Sequence, residues 1–461
     1  MSRALAKVHL LTLGCPKNQV DSEIMLGRLA RAGHEIVLDP EEADVLVVNT
    51  CAFVADAKQE SIDAVLDAAR VKAARAGRRL VVSGCLAQRY AAELPALLPE
   101  VDAFVGTGAL DDITTAVAEA PASAPSVYLG APHVLPLHAA APRVRTGAWW
   151  SAYLKVSEGC DHRCSFCIIP KIRGRHESRS MDDLLDEAAA LAADGVLELN
   201  LVAQDLTAYG RDRRDGSSLA VLLRALARRV PDVRWLRLLY AYPASVDDAL
   251  LEVMADEPAV CRYLDMPLQH IADGVLRAMR RERSGAAIRR LVRRIRDAVP
   301  GIALRSSFIV GFPGERARDV DELCAFLEEA EFEHAGVFRY SREENTPAAA
   351  LPEQVPERTK RARWERVMAV QAGVSARRMR AQVGRELDVL VEREEAAGIV
   401  VGRTAAQAPE IDGVIRLRGE AAPGDMVRAR VTGAATYDLE GEVLGTVDSD
   451  ARAHYVAQPQ E

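Results

Sequence analysis

The stretch SEGCDHRCSFCIIPKIRG, residues 157–174, sets Cys160, Cys164 and Cys167 at C-x3-C-x2-C spacing and offers no fourth cysteine. Thiolates hold iron–sulfur clusters, and ferredoxin-type runs supply four of them. Three thiolates on a four-iron cluster leave one iron open to a small molecule, whereas a fully ligated cluster mostly moves electrons. Zinc with His162 as a fourth ligand is the alternative, although zinc ligands usually come as two separated pairs. Cys15, Cys51 and Cys85 form a second trio, in TLGC, VNTC and VSGC. One such cysteine alone would be read as core packing. Three at the ends of successive parallel strands lie along the sheet edge where ligands bind. Cys261 and Cys324 stand alone in apolar contexts and are expected to pack in the core.

The elements that must position these trios are legible as three series. VHLLTLG, ADVLVVNTC and RRLVVSGC read as strands, with helices over DSEIMLGRLARAG, over an Ala-rich run to about Arg75, and from about Gln88. Alternation of this kind calls for a doubly wound parallel sheet. Residues 120–148 are rich in Ala and Pro without a period, which predicts a linker. From Tyr153 six strand–helix units follow, the pattern of a partial or full β/α barrel, whose strand-end loops carry the chemistry. The first cysteine loop sits at the first of those ends. Beyond about Ala381, short alternating strands between Gly and Pro turns predict a small all-β barrel. The expected domains are 1–120, a linker at 121–148, 149–375, 376–446 and a disordered tail at 447–461.

The bulk numbers set limits. A chain of 461 residues with net charge −8 is not built as a basic nucleic-acid clamp, and 5% aromatic residues argue against a stacking platform for single strands. No apolar run approaches the ~18 residues of a membrane span. The apolar stretch Val8–Leu13 is short and holds His9, so the N-terminus reads as a strand rather than a signal peptide. A cytoplasmic protein with reduced thiols is expected, in which cysteine clusters mean metal or catalysis.

The cysteine loop, with Phe166 before its last cysteine, resembles the signature of the radical S-adenosylmethionine superfamily. The resemblance implies that S-adenosylmethionine chelates the open iron and that its reduction yields a 5′-deoxyadenosyl radical. A second trio before the barrel and a small β-barrel behind it resemble the methylthiotransferase family over about residues 7–446. That resemblance implies two 4Fe-4S clusters, one on Cys15, Cys51 and Cys85 and one on Cys160, Cys164 and Cys167. GFPGE at 311–315 is similar to the family's strand end for the adenine and methionine parts of S-adenosylmethionine. Phe166, Gly311, Phe312, Gly314 and Glu315 are therefore the expected cofactor contacts. SREENTPAA at 341–349 is similar to the family's segment after the sixth strand, and residue type assigns it no role. The family's chemistry implies methylation of a sulfur at the first cluster, then radical transfer of the methylthio group to a substrate carbon. A TRAM-like final barrel, a reductant such as flavodoxin or ferredoxin, and a monomer complete the expectation.

The family divides between enzymes acting on adenosine in tRNA and enzymes acting on an aspartate β-carbon of the twelfth small-subunit ribosomal protein, uS12. SEGCDHRCSFCIIPKIRG, QDLTAYG at 204–210, YLDMPLQH at 263–270 and APEIDG at 408–413 are more similar to the second group. Charge points the same way: across 381–446 seven arginines face twelve Asp and Glu, net −5. An RNA-binding barrel gains affinity by neutralising phosphates, while an acidic one complements a basic ribosomal protein. The alternatives are a tRNA methylthiotransferase and, in another class, an iron–sulfur electron carrier or RNA-binding module.

Overall fold

The computed structural model describes residues 5–119, 124–131, 143–281 and 284–447. Much of the linker expected at 121–148 lies outside the described residues, as does the expected tail beyond 447.

The first domain opens with β1 (Lys7–Thr12), α1 (Pro16–Arg31) and the edge strand β2 (Glu35–Ile36). β3 (Val45–Thr50), α2 (Ala55–Ala73), β4 (Arg79–Gly84), α3 (Cys85–Arg89) and α4 (Leu94–Leu97) follow. β5 (Ala103–Val105), α5 (Ile113–Ala118) and β6 (Ser126–Tyr128) complete it. The strands form one parallel sheet in the order β2-β1-β3-β4-β5-β6. β6, taken from the Ala- and Pro-rich stretch, pairs beside β5. β3 and β4 are buried along their whole length, as continuous apolar runs in a parallel sheet must be. Val45, Val47 and Val81 pack on the α1 and α5 side, while Leu46, Val48, Leu80 and Val82 pack on the α2 and α3 side. The strand order turns back between β1 and β3, which opens a crevice at their carboxyl ends. Cys15 and Cys51 flank that crevice. The third helix starts at Cys85 rather than near Gln88, because Gly84, at φ +93, turns the chain straight from strand into helix.

The second domain holds β7 (Ser151–Lys155), β8 (Ser157–Glu158), α6 (Ile169–Arg173), β9 (Glu177–Ser178) and α7 (Met181–Ala193). β10 (Glu198–Val202), α8 (Leu219–Arg229), β11 (Trp235–Leu238), α9 (Asp248–Asp256) and β12 (Val260–Asp265) continue the series. α10 (Asp273–Ala278), α11 (Gly285–Ala298), β13 (Ala303–Val310), α12 (Ala317–Ala330), β14 (His334–Arg339) and α13 (Glu357–Arg380) end it. The main sheet is six-stranded and open, ordered β14-β13-β12-β11-β10-β7, so the barrel is the partial one. β8 and β9 form a separate two-stranded ribbon that frames the cysteine loop. Ser180, Ser218, Asp247 and Ser284 each cap a helix by accepting an amide from its first turn.

The third domain is a closed five-stranded barrel of β15 (Glu386–Ala396), β16 (Ile399–Thr404), β17 (Ile415–Arg418), β18 (Met426–Ala434) and β19 (Leu439–Thr446). Its connection 405–412 docks on the concave face of the open barrel. There Arg237 donates to the Ala405 carbonyl at 2.8 Å and the Tyr263 hydroxyl donates to Asp412 at 2.7 Å. One apolar core joins all three domains through Ile24 and Met25, Tyr153 and Tyr263, and Leu390 and Met426. Cys261 and Cys324 are buried in the domain cores.

Candidate active site

The N-terminal trio is set by the sharp turns that end β1, β3 and β4. Gly14, at φ +99, precedes Cys15, and a Cβ there would lie 2.8 Å from Cys51 Cβ, so glycine lets the two strand ends close up. Gly84 needs the same freedom, since a Cβ would meet the Thr50 carbonyl at 2.7 Å. Cys15, Cys51 and Cys85 fall within electrostatic reach of one another, and the Cys51 sulfur accepts the Phe53 amide. Burial pushes the Cys51 thiol up and the Cys85 thiol up to about 12.

The second trio lies in the loop between β8 and α6. Cys160 accepts the His162 amide and Cys167 the Ile169 amide, and burial pushes both thiols up to about 12. Thiols so poorly solvated become thiolates when a bound cation supplies the missing charge. Two sets of three thiols, two of each set so buried, therefore fit metal centres in their donor chemistry. Among the described residues no group of three His, Cys, Asp or Glu side chains closes on a single ion. A polynuclear cluster spreads its thiolates over several irons. The His162 Nε2 pairs with Asp205 at 2.7 Å and its ring stacks on Tyr242 with centroids 3.6 Å apart, which fixes the imidazole beside the loop.

Beside the N-terminal trio, across the boundary of the first two domains, lies a buried charged group that the sequence reading did not single out. Lys155 on β7 pairs with Asp21 on α1 and with Glu158 at 2.9 Å. Arg173, at the end of α6, donates to Asp21 at 2.6 Å, to Glu158 at 3.2 Å, and to the side-chain carbonyl of Asn18. Its Nη2 also lies 3.3 Å from Cys85 Sγ. Lys17, two residues past Cys15, sits 3.3 Å over the Tyr240 ring. Arg281 donates to Cys164 Sγ at 3.5 Å and stacks on Tyr242. The signal available in sequence was position: CPKNQVD and CIIPKIRG carry these cations beside the cysteines, but nothing in residue type says that they meet.

The expected cofactor turn is tightly built. Glu315, 4% exposed, accepts the Gly311 amide at 2.9 Å and an Arg363 N–H at 2.8 Å. Phe312 packs edge-on against Tyr340 in the same apolar cluster as Phe166. The side chains of Phe312 and Glu315 hold the fold and the Lys360 side chain fills the space beside Gly311, so what the turn offers a ligand is its backbone and the room beside Gly314. SREENTPAA gains a role from the structure. Glu343, whose side chain is 2% exposed, pairs with Lys58 of α2 at 2.8 Å and Arg89 of α3 at 2.9 Å, latching the first two domains together.

An open parallel β/α sheet with a three-cysteine loop at its first strand end defines a radical S-adenosylmethionine enzyme, and the Radical SAM superfamily matches residues 154–327. Uncharacterized protein family UPF0004 matches 7–106 and the TRAM domain 383–444. The chain is 52% identical over 453 residues to the ribosomal protein uS12 methylthiotransferase RimO of Anaeromyxobacter sp. (strain Fw109-5), covering 97% of this chain and 95% of that one. It is 48% identical to the RimO of Geobacter sulfurreducens, covering 96% and 100%. The chain belongs to the RimO family of methylthiotransferases. Among solved structures, the radical S-adenosylmethionine methyltransferase TsrM of Kitasatospora setae shares the fold, with a TM-score of 0.56 at 20% identity over 76% of this chain and 77% of that one.

Proposed function

We propose that the enzyme places a methylthio group on the β-carbon of an aspartate in ribosomal protein uS12 and that it does so with two 4Fe-4S clusters. The observations that support this reading are two incomplete cysteine trios, one in each of two adjoining domains, and a buried charged group that crosses the boundary between those domains to reach Cys85 of the first trio. Cys160, Cys164 and Cys167 would hold one cluster and Cys15, Cys51 and Cys85 the other. Such clusters supply electrons and an iron open to a small ligand. S-adenosylmethionine would rest against the backbone of 311–315 and beside Phe166.

The chain's own residues provide the rest. Lys17 and Arg173 bring two buried cations to the first trio, which offsets the cost of gathering thiolates away from water. Lys155, Asp21 and Glu158 hold Arg173 in place. The shared apolar core of the three domains holds the barrel's inner face against the first and third domains. The last barrel suits a basic protein substrate. Arg403, Arg416, Arg428 and Arg430 are each paired with acids, while among the described residues Glu394, Glu420, Glu440 and Glu442 have no basic partner within salt-bridge distance. Among the described residues Arg385, Arg393 and Arg418 likewise have no acidic partner within that distance, so the negative charge available to steer a basic partner is the barrel's net −5.

A ribosomal substrate puts the working compartment in the cytoplasm, and among the described residues no helix is long and apolar enough to cross a membrane. A one-electron donor such as a flavodoxin or ferredoxin would be required, and a monomer is the expected state. Mass spectrometry of small-subunit proteins and tRNA from a deletion strain, with and without the gene restored, tests the reading. Loss of a methylthio mass from uS12 with tRNA unchanged is expected. Loss from tRNA alone would overturn the substrate assignment.

A further inference from the structure

We infer that Arg173, a residue of the radical barrel, sets the reduction potential of the metal centre held by the N-terminal trio. The inference rests on the proposal that Cys15, Cys51 and Cys85 hold a cluster.

Arg173 stands six residues past Cys167, on the short helix that closes the barrel's own cysteine loop. Its guanidinium nevertheless crosses the domain boundary. One nitrogen donates to Asp21 on α1 at 2.6 Å, and the other bonds Asn18 of the same helix and lies 3.3 Å from Cys85 Sγ. The side chain is 3% exposed and is held from behind by Glu158, so neither the charge nor the fork can swing away. Glu158 in turn is fixed by Lys155 at 2.9 Å and by the Gln204 amide.

Two features separate this contact from an ordinary interdomain strut. A strut needs only the carboxylates, and Asp21 and Glu158 already satisfy one edge of the guanidinium. The second edge is turned onto Asn18 and a cluster-ligand sulfur. Hydrogen bonds to ligand sulfurs and the net charge around a cluster are the levers that move its potential. An N–H donor and a full positive charge at Cys85 both favour the reduced, more negative state, so Arg173 raises the potential of the N-terminal centre. Because the donor belongs to the barrel, the N-terminal centre reaches its working potential only when the two domains are docked. Arg173 is a positioning residue in this scheme, acting through the Cys85 sulfur.

The test uses the full chain carrying Cys160→Ala, Cys164→Ala and Cys167→Ala, reconstituted anaerobically with iron and sulfide so that only the N-terminal centre can form. Its midpoint potential is read by EPR in a mediated redox titration. Adding Arg173→Gln should move the midpoint to more negative potential. Arg173→Lys should move it in the same direction by less, since it keeps the charge and loses the fork. In the reciprocal background, with Cys15, Cys51 and Cys85 replaced by Ala, Arg173→Gln should leave the barrel centre's midpoint where it was. Should the Gln variant fail to fold, the Lys variant decides, and an unchanged midpoint there overturns the role. A purely structural Arg173 would lower iron loading without moving the potential of the centres that remain. If the C160A/C164A/C167A protein binds no iron at all, it is the two-cluster reading that fails, not the role of Arg173.

Discussion

Glu198 is the residue on which the third domain's docking turns, and its replacement by Gln gives a quantitative test. Its carboxylate, fully buried at the start of β10, accepts Arg403 of the third domain at 2.7 Å and Arg237 of the barrel at 2.8 Å. A further bond comes from the Ser151 hydroxyl at 3.0 Å. Burial alone would raise its pKa, but the two guanidiniums, Arg403 before Arg237, outweigh it and hold the group at about 2. Set against an unfolded value of 4.5, that difference corresponds to about 3 kcal/mol of stability at neutral pH. Removing one partner of a buried ion pair costs about 3–5 kcal/mol on independent grounds, so the two routes agree. Because the folded pKa is depressed, the contribution is fully present above about 4.5 and is lost as pH falls through about 2. Glu198→Gln should therefore weaken the wild-type protein's pH dependence of stability in that window. At pH 7 the opening of residues 399–408, read by hydrogen exchange, should rise about a hundredfold. An exchange rate within a factor of two of wild type would refute the argument that this carboxylate anchors the domain.

Replacing Cys160, Cys164 and Cys167 by Ala should leave roughly half the iron of the reconstituted protein and abolish S-adenosylmethionine cleavage, which product chromatography reads directly. Replacing Cys15, Cys51 and Cys85 should instead preserve 5′-deoxyadenosine formation and remove the methylthiolated product; losing both activities while the barrel cluster stays intact would make that trio structural. Glu343→Ala leaves Lys58 and Arg89 with only the half-exposed Glu344 as an acidic partner and should cost about 2 kcal/mol, seen as easier protease cleavage between the first two domains. Reversing Glu394, Glu395 and Glu440 to Lys should slow association with uS12 and flatten its salt dependence. Association rates measured across a salt series check this, and a steeper dependence would count against an acidic docking face.

How much was legible in the sequence can be argued from particular residues. The short, Val-rich apolar runs VLVV and LVV, each closed by a turn, identify β3 and β4 as buried parallel strands. Cys15, Cys51 and Cys85 follow their strands directly, so the edge rule for parallel sheets places them together. β2 and β6 were not legible, because a two- or three-residue edge strand carries no period. The start of α3 was misplaced by three residues, since the turn at Gly84 depends on a backbone angle that composition does not report. SREENTPAA had no role until Glu343 was found between Lys58 and Arg89, far away in the chain.

The sequence by itself determined the chemistry: six cysteines, their spacing, and the strand ends that carry them require only local patterning and the topology of parallel sheets. It also determined the acidic balance of the last barrel, because charge is a sum over residues. Tertiary structure alone decided which charged groups face one another. Arg173 and Cys85, Glu198 and Arg403, and Glu343 and Arg89 are separated by long stretches of chain. An arginine in sequence is the same whether it is solvated or buried against a thiol. Burial and partner, which fix what such a group does, exist only once the three domains have closed on one another.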